Sequence, residues 1–228
     1  MPMSGTTTKL PAFGLTGGIA SGKSTVARYL ESLGAKVMNA DQMGHELLIP
    51  GSPAYPQIIS SFGREILIPT GESAAEPGRE VVREIDRKRL AAIVFANPQK
   101  LRVLNAILHP MILQRILEIT RQTWEGEPGI VIVVEATLIY ETGIEKNFLK
   151  IIATWCRPEQ QLERLLAKGE ISREDADARI AAQIPLEQKC SRADYVIDCS
   201  ASIDATQTQV KSLYPELRQV AAGSRAES

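Results

Sequence analysis

No apolar run in the 228-residue chain is long enough to cross a bilayer. The most hydrophobic stretch, Ile130 to Val134, covers a fraction of the roughly 20 residues that a membrane helix needs. Residues Met1 to Pro11 are polar and threonine-rich without an apolar centre, so a secretory leader is not expected and a soluble cytoplasmic protein is. Cysteine is scarce. Cys156, Cys190 and Cys199 lie far apart without metal-ligand spacing, and their odd number points to free thiols in a reducing compartment. Small buried hydrophobes are the simplest role for all three. An excess of either charge is also missing: 26 basic and 27 acidic residues leave a net charge of -1. That balance disfavours a long polyanion such as DNA as a partner, while a local basic groove for phosphates remains open. Internal repeats and low-complexity segments are absent. What the chain does have is aliphatic residues: the hydrophobic fraction of 44% supports a sizeable core in one α/β domain carrying an insertion, or a core with a small cap.

Against that background the stretch Gly17-Gly18-Ile19-Ala20-Ser21-Gly22-Lys23-Ser24-Thr25 stands out. Gly17, Gly22, Lys23 and Ser24 fill the fixed positions of the phosphate-binding pattern G-x-x-x-x-G-K-[ST]. The apolar Phe13-Gly14-Leu15 before it reads as the end of a buried strand, and Thr25 to Leu33 after it reads as a helix with Val26, Tyr29, Leu30 and Leu33 on one face. Glycines let the backbone curl so that successive amides point inward at a phosphate chain. The helix starting near Lys23 adds the positive end of its dipole. Lys23 can reach the outer phosphates and the Ser24 hydroxyl can ligate Mg2+, so a bound nucleotide is expected at this loop. The competing reading is a glycine-rich turn with no ligand, and the strand-loop-helix context argues against it.

A second short strand, Ala35 to Asp41, ends on a carboxylate. Ligands of open parallel sheets sit beyond the carboxyl ends of the strands, so Asp41 is either a general base or water-mediated magnesium partner, or the N-cap of a helix from Gln42 to Leu48. His45, one turn on, is a surface or packing residue. The D-x-x-G match at Asp41 to Gly44 has no N-K-x-D companion to read guanine. From Gly44 to Trp124 the pattern is helical: a piece ending at Phe62-Gly63, a loop from Ile68 to Gly78 punctuated by Pro69, Gly71 and Pro77, then helices over Asp86 to Phe95 and Gln99 to Leu108, with His109-Pro110 opening another through Thr123. Such an insertion could cap a second substrate. Strands return at Gly129 to Glu135, at Lys150 to Cys156 and at Ala193 to Cys199, and a helix over Ala205 to Leu213 closes the fold. Glu135 ends its strand as a candidate metal-site acid or as a turn residue. Between Arg157-Pro158 and Gln183 lies a charged helical hairpin. Its Arg173 and Arg179 suit a closing lid or, with Glu170, Glu174, Asp175 and Asp177 interleaved, a solvated face.

In this order, the motifs Gly14 to Thr25, Asn39-Ala40-Asp41, Phe62-Gly63, Asp86 to Leu90 with Val94-Phe95, Leu104-Asn105 with His109-Pro110, Gln161 with Arg164, Ala178-Arg179 with Gln183, Lys189, and Ala193 to Asp198 resemble the dephospho-coenzyme A kinase family from about Phe13 to Tyr214. The resemblance implies an α/β fold: a P-loop kinase core with a central parallel five-stranded sheet, a helical acceptor-binding insertion and a helical lid. One kinase domain is expected over 12-216, with its core at 12-43, 129-157 and 189-216, the acceptor region at 44-128, the lid at 158-188, and flexible tails at 1-11 and 217-228. The implied reaction moves the ATP γ-phosphoryl group to the ribose 3′-hydroxyl of dephospho-coenzyme A, with Mg2+. Asp41 aligns with the family's proposed base, Ala20 to Thr25 (Ala20, Ser21, Gly22, Lys23, Ser24 and Thr25) with its ATP-phosphate segment, Arg179 with a lid arginine, and His109 falls in the acceptor region as a substrate contact. Departures from the family pattern are Asn39 for the outer acid of Asp-Ala-Asp, Thr137-Leu138-Ile139 for Pro-Leu-Leu, Lys168 for a lid arginine, Cys199 for asparagine near the adenine, and an apparent insertion from Ser73 to Glu84. Another small-molecule kinase, of the nucleoside or shikimate type, shares the core motifs. A non-catalytic ATP switch would need neither the strand-end acid nor the insertion.

Overall fold

The computed structural model describes residues 10–68, 83–167, 169 and 171–224. They divide into two compact units, one built from the chain up to Ala40 and from Leu117 onward, the other from Asp41 to Ile116.

The first unit contains the sheet. Strands β1 (Phe13–Gly17), β2 (Lys36–Asn39), β3 (Ile132–Glu135), β4 (Ile151–Trp155) and β5 (Tyr195–Asp198) pair in parallel in the order β2-β3-β1-β4-β5. The central position of β1 follows from its sequence: every residue from Phe13 to Gly17 is buried, as a strand covered on both faces requires. On one face the sheet meets α1 (Lys23–Ser32), which packs on β1 and β3, and α10 (Ile203–Gly223), which packs on β5 and α1. Val26, Ala27 and Leu30 recur on one side of α1 at helical spacing and pack with Phe13, Leu15, Val131, Val133, Ile152, Val210 and Leu217. Burying side chains of this size stabilises the fold by about 2 kcal/mol apiece. On the other face α9 (Leu186–Arg192) lies against β1 and β4. Gly14 leaves no room there: a Cβ would come within 2.6 Å of Ile151 Cδ1 and 2.9 Å of Ile139 Cδ1. Gly14→Ala should therefore lower stability by about 2 kcal/mol, read as an earlier midpoint in urea unfolding.

The second unit is helical. It holds α2 (Ala40–Glu46) beyond its first residue, α3 (Tyr55–Phe62), α4 (Arg87–Phe95) and the first part of α5 (Pro98–Gly126). Asp86 caps α4 by accepting from the amides of Lys88 and Arg89. Ile58, Phe62, Ile66, Leu90, Val94 and Leu104 form its core. The expected loop from Ile68 and the insertion to Glu84 fall mostly outside the described residues. Their two ends are tied, since Ile68 N–H donates to Glu84 O at 2.9 Å and Leu67 bridges Ile85.

Several boundaries differ from expectation. β2 stops at Asn39 rather than Asp41, because α2 begins at Ala40; Asp41 is a first-turn helix residue, not an N-cap. The helices expected on either side of His109-Pro110 are one, α5, which runs through Pro110. The expected flexible segment from 217 is helical to Gly223, and Leu217 and Ala221 are core residues of α10, which runs through Pro215. Proline deprives the carbonyl four residues back of its helical donor. Those residues are Ala106 and Lys211, and both are exposed, so solvent is available to take the place of the missing N–H. At the other end, Leu10 is buried and its N–H bonds Asn147 O at 2.5 Å, so order begins before residue 12. No helix among the described residues is long and apolar enough to cross a membrane.

Candidate active site

The phosphate loop joins β1 to α1 at the carboxyl edge of the sheet. Its curl is visible in three left-handed residues, Gly17 at φ 152°, Ala20 at 59° and Gly22 at 106°; among the described residues Ala20 is the one non-glycine with positive φ. An alanine held there stores backbone strain of about 1 kcal/mol, the kind of cost that persists where surrounding structure over-determines a functional turn. The loop also closes on itself: Ser21 N–H donates to Gly18 O at 3.2 Å and Thr25 N–H to Gly22 O at 3.0 Å. The Ser21 hydroxyl is turned inward, 2.6 Å from Thr154 Oγ1, so Ser21 can offer a ligand its backbone but not its side chain. Gly17 must lack a side chain because a Cβ would sit 2.3 Å from that same Thr154 oxygen. Gly22 lies over Cys199, whose Sγ would be 2.8 Å from a Cβ.

Lys23 opens α1 and is buried, with Nζ donating to Gly18 O at 2.9 Å and Gly17 O at 3.3 Å. The ammonium thus lies across the loop. Ser24 Oγ donates to Glu135 Oε1 at 3.0 Å, and Asn39 Nδ2 donates to Glu135 Oε2 at 3.3 Å. Strand register explains this meeting, since Glu135 stands beside Leu15 of β1 and beside Asn39 of β2. Hydroxyl, carboxylate and amide oxygens suit a hard cation such as Mg2+. Among the described residues no group of three or more His, Cys, Asp and Glu could hold a metal alone. The donor set therefore fits an ion that shares its shell with a nucleotide's phosphates and water, which is how Mg2+ is ordinarily held.

Behind the loop, Lys189 of α9 is fully buried. Its Nζ lies 2.7 Å from Glu141 Oε1 and donates to Thr137 O at 2.8 Å. Glu141 Oε1 also accepts from Ile184 N–H at 3.0 Å. This cluster braces the Thr137-Leu138-Ile139 turn and the chain leaving the charged hairpin. α9 itself had no signature in the periodicity. The hairpin is α7 (Pro158–Leu166) and α8 (Arg173–Ala181), and Ser172 caps α8 through the Asp175 amide. Arg179 is exposed on the last turn of α8. Lys168 lies outside the described residues. Arg164 donates to Cys199 O at 2.7 Å, pinning the end of β5 beside the loop. Burial pushes the Cys199 and Cys190 thiols up to about 11 and also raises Cys156, in keeping with unreactive packing residues.

Two expected site residues belong to the second unit. Asp41 is exposed in the first turn of α2. His109 is half-buried in α5, and burial holds its pKa below the ordinary 6.5. Between that ordinary value and the lowered one the unfolded chain binds a proton that the folded chain refuses, so stability is lost as pH falls through this window. Unfolding midpoints measured from pH 7.5 to 5 should drop for the native chain and drop less for His109→Gln. Equal slopes would assign the acid sensitivity to other groups.

Comparison with known proteins follows the same lines. The family model described as Dephospho-CoA kinase matches residues 12–205. A curated Dephospho-CoA kinase of Carboxydothermus hydrogenoformans is 42% identical over 205 residues, covering 90% of this chain and 93% of the relative. Among solved structures, a Thermus thermophilus protein superposes with a TM-score of 0.72 at 27% identity, covering 92% of this chain and 98% of its own. Dephospho-CoA kinase from Campylobacter jejuni does so with a TM-score of 0.59 at 30% identity, with the same coverage of both chains. The fold is that of the P-loop kinases, and with the family model spanning sheet, insertion and hairpin alike, the chain belongs to the dephospho-CoA kinase family.

Proposed function

We propose that this protein is the kinase that completes coenzyme A: it transfers the γ-phosphoryl group of ATP to the ribose 3′-hydroxyl of dephospho-coenzyme A, releasing ADP. The observation that carries this reading is the preset loop, with left-handed Ala20, Lys23 laid across its mouth and Ser24 linked to Glu135, in a chain of this family.

Main-chain amides of Ala20 to Ser24 bind the phosphate chain, and the first turn of α1 adds its dipole. Thr25 continues the turn behind them. Lys23 leaves the Gly17 and Gly18 carbonyls for the β- and γ-phosphate oxygens. Ser24, with Glu135 behind it, would hold Mg2+, which when bound supplies charge neutralisation between those two phosphates. Asp41, two residues beyond the Asn39 that reaches Glu135, orients the acceptor hydroxyl and takes its proton. Arg179 closes over the transferred group from the hairpin, which acts as a lid together with Lys168. His109 contacts the acceptor within the helical unit. Positioning and electrostatics carry most of the acceleration, because a loose phosphoryl transition state leaves little covalent chemistry to the protein. We take the protein to act in the cytoplasm on its small-molecule acceptor.

An acceptor panel tests the assignment. Dephospho-coenzyme A should drive ADP release from Mg-ATP, whereas adenosine and shikimate should not. Equal stimulation by adenosine would move the protein to the nucleoside kinases.

A further inference from the structure

The pattern G-x-x-x-x-G-K-[ST] leaves its second position free, yet here it is glycine, Gly18. Its backbone φ is not in the left-handed range, so conformation does not demand glycine. Space does. A Cβ on Gly18 would lie 2.2 Å from Nε2 of Gln161. That glutamine, in the first turns of α7, is buried and aims its amide at the loop, donating to Ile19 O at 2.8 Å. From the far side of the hairpin Gln183, two residues past the end of α8, accepts from Ile19 N–H at 2.9 Å through Oε1. Both main-chain groups of one loop residue are thus held by side chains from the two arms of one hairpin. Ile19 is also the residue immediately before the strained Ala20.

The geometry points to Gln161 and Gln183 as positioning residues for the phosphate loop. They fix the peptide groups of Ile19, this forces Ala20 into its left-handed turn, and that turn aims the following amides at the phosphate chain. Gly18 is small so that Gln161 can reach in. The clamp also ties the base of the hairpin to the loop, so displacement of that base breaks both hydrogen bonds and releases the turn. A merely packing role for Gln161 would need neither the second glutamine nor a bond to each side of the same residue. The inference rests on the nucleotide reading given above.

The test uses the full chain, Mg-ADP as the titrated ligand, thermal unfolding as the control for folding, and separate KM values for ATP and dephospho-coenzyme A. Gln161→Met and Gln183→Met keep side-chain length but lose the hydrogen bond. Each should weaken Mg-ADP and raise the KM for ATP about five- to tenfold, with the KM for dephospho-coenzyme A unchanged. The double variant should lose little more than either single one, because releasing one side of Ile19 already frees the turn. Gly18→Ala should mimic the loss, and combining it with Gln161→Ala, which clears the space, should add nothing further. Variants that bind Mg-ADP like the native chain, that raise both KM values alike, or that lower only the melting temperature would overturn the clamp. Failure of the native chain itself to bind Mg-ADP would instead overturn the nucleotide reading beneath it.

Discussion

Asp41→Asn should reduce phosphoryl transfer about a thousandfold while leaving Mg-ADP affinity within about twofold of native, the loss expected when a positioned general base is neutralised. The amide keeps the size of the carboxylate and some of its hydrogen bonding, but it cannot accept a proton at neutral pH. Folding should hardly change. Asp41 is exposed, and its contribution to the first turn of α2 through the helix dipole is about 0.5 kcal/mol. A binding defect is not expected either, since main-chain amides, the α1 dipole and Lys23 are the groups that meet the nucleotide's phosphates. Single-turnover transfer alongside nucleotide titration reads both quantities at once. A variant with near-native turnover removes Asp41 from the chemistry, and one with lost nucleotide affinity makes it a binding residue.

Lys23→Met should lower turnover by roughly a hundred- to a thousandfold, and unlike Asp41→Asn it should weaken the nucleotide as well. Methionine fills the buried volume of the lysine stem, so the loop keeps its shape. What disappears is a cation already sitting on the Gly17 and Gly18 carbonyls, where it needs only a short swing to reach the outer phosphates. The loss should be larger for ATP than for AMP, which has no β- or γ-phosphate for the lysine to meet. Equal losses for both nucleotides would assign Lys23 a structural part, holding the loop closed through those two carbonyls.

Much of the local geometry of this candidate site is legible in the sequence. The phosphate loop, its strand and its helix are local in sequence, and glycine, lysine and serine at fixed spacing carry one physical meaning. Glu135 was recognisable as an acid ending an apolar strand. Its bond to Ser24 was not, because that depends on β3 pairing beside β1, a relation across more than a hundred residues. The same holds for Thr154 beneath Ser21, for Lys189 with Glu141, and for Gln161 and Gln183 on Ile19. Polar residues on amphipathic helices have no periodic signature that distinguishes a loop-binding glutamine from a solvated one. Gly18 was the one local hint, a small residue where the pattern asked for none.

The errors in the fold share a cause. Pro110 reads as a helix start and the last helix is expected to end at Leu213, yet α5 and α10 continue through Pro110 and Pro215. A proline rule weighs the lost hydrogen bond but not the exposure of the residue that loses it, and exposure at Ala106 and Lys211 makes the loss tolerable. α10 in addition places Leu217 and Ala221 in the core well beyond Pro215, so burial outweighs the local penalty. Asp41 moved from strand end to helix start for a related reason: the Asn39-Ala40 junction is where the sheet edge ends, and no residue type marks it.

The most direct measurement is ADP release from Mg-ATP by the native chain with and without dephospho-coenzyme A, with the acceptor product analysed for the position of the new phosphate. The account predicts negligible ADP alone and, on addition of acceptor, one ADP for each coenzyme A formed, phosphorylated at the ribose 3′-oxygen. ADP formed at the same rate with or without acceptor, or phosphate found elsewhere on it, would contradict the account.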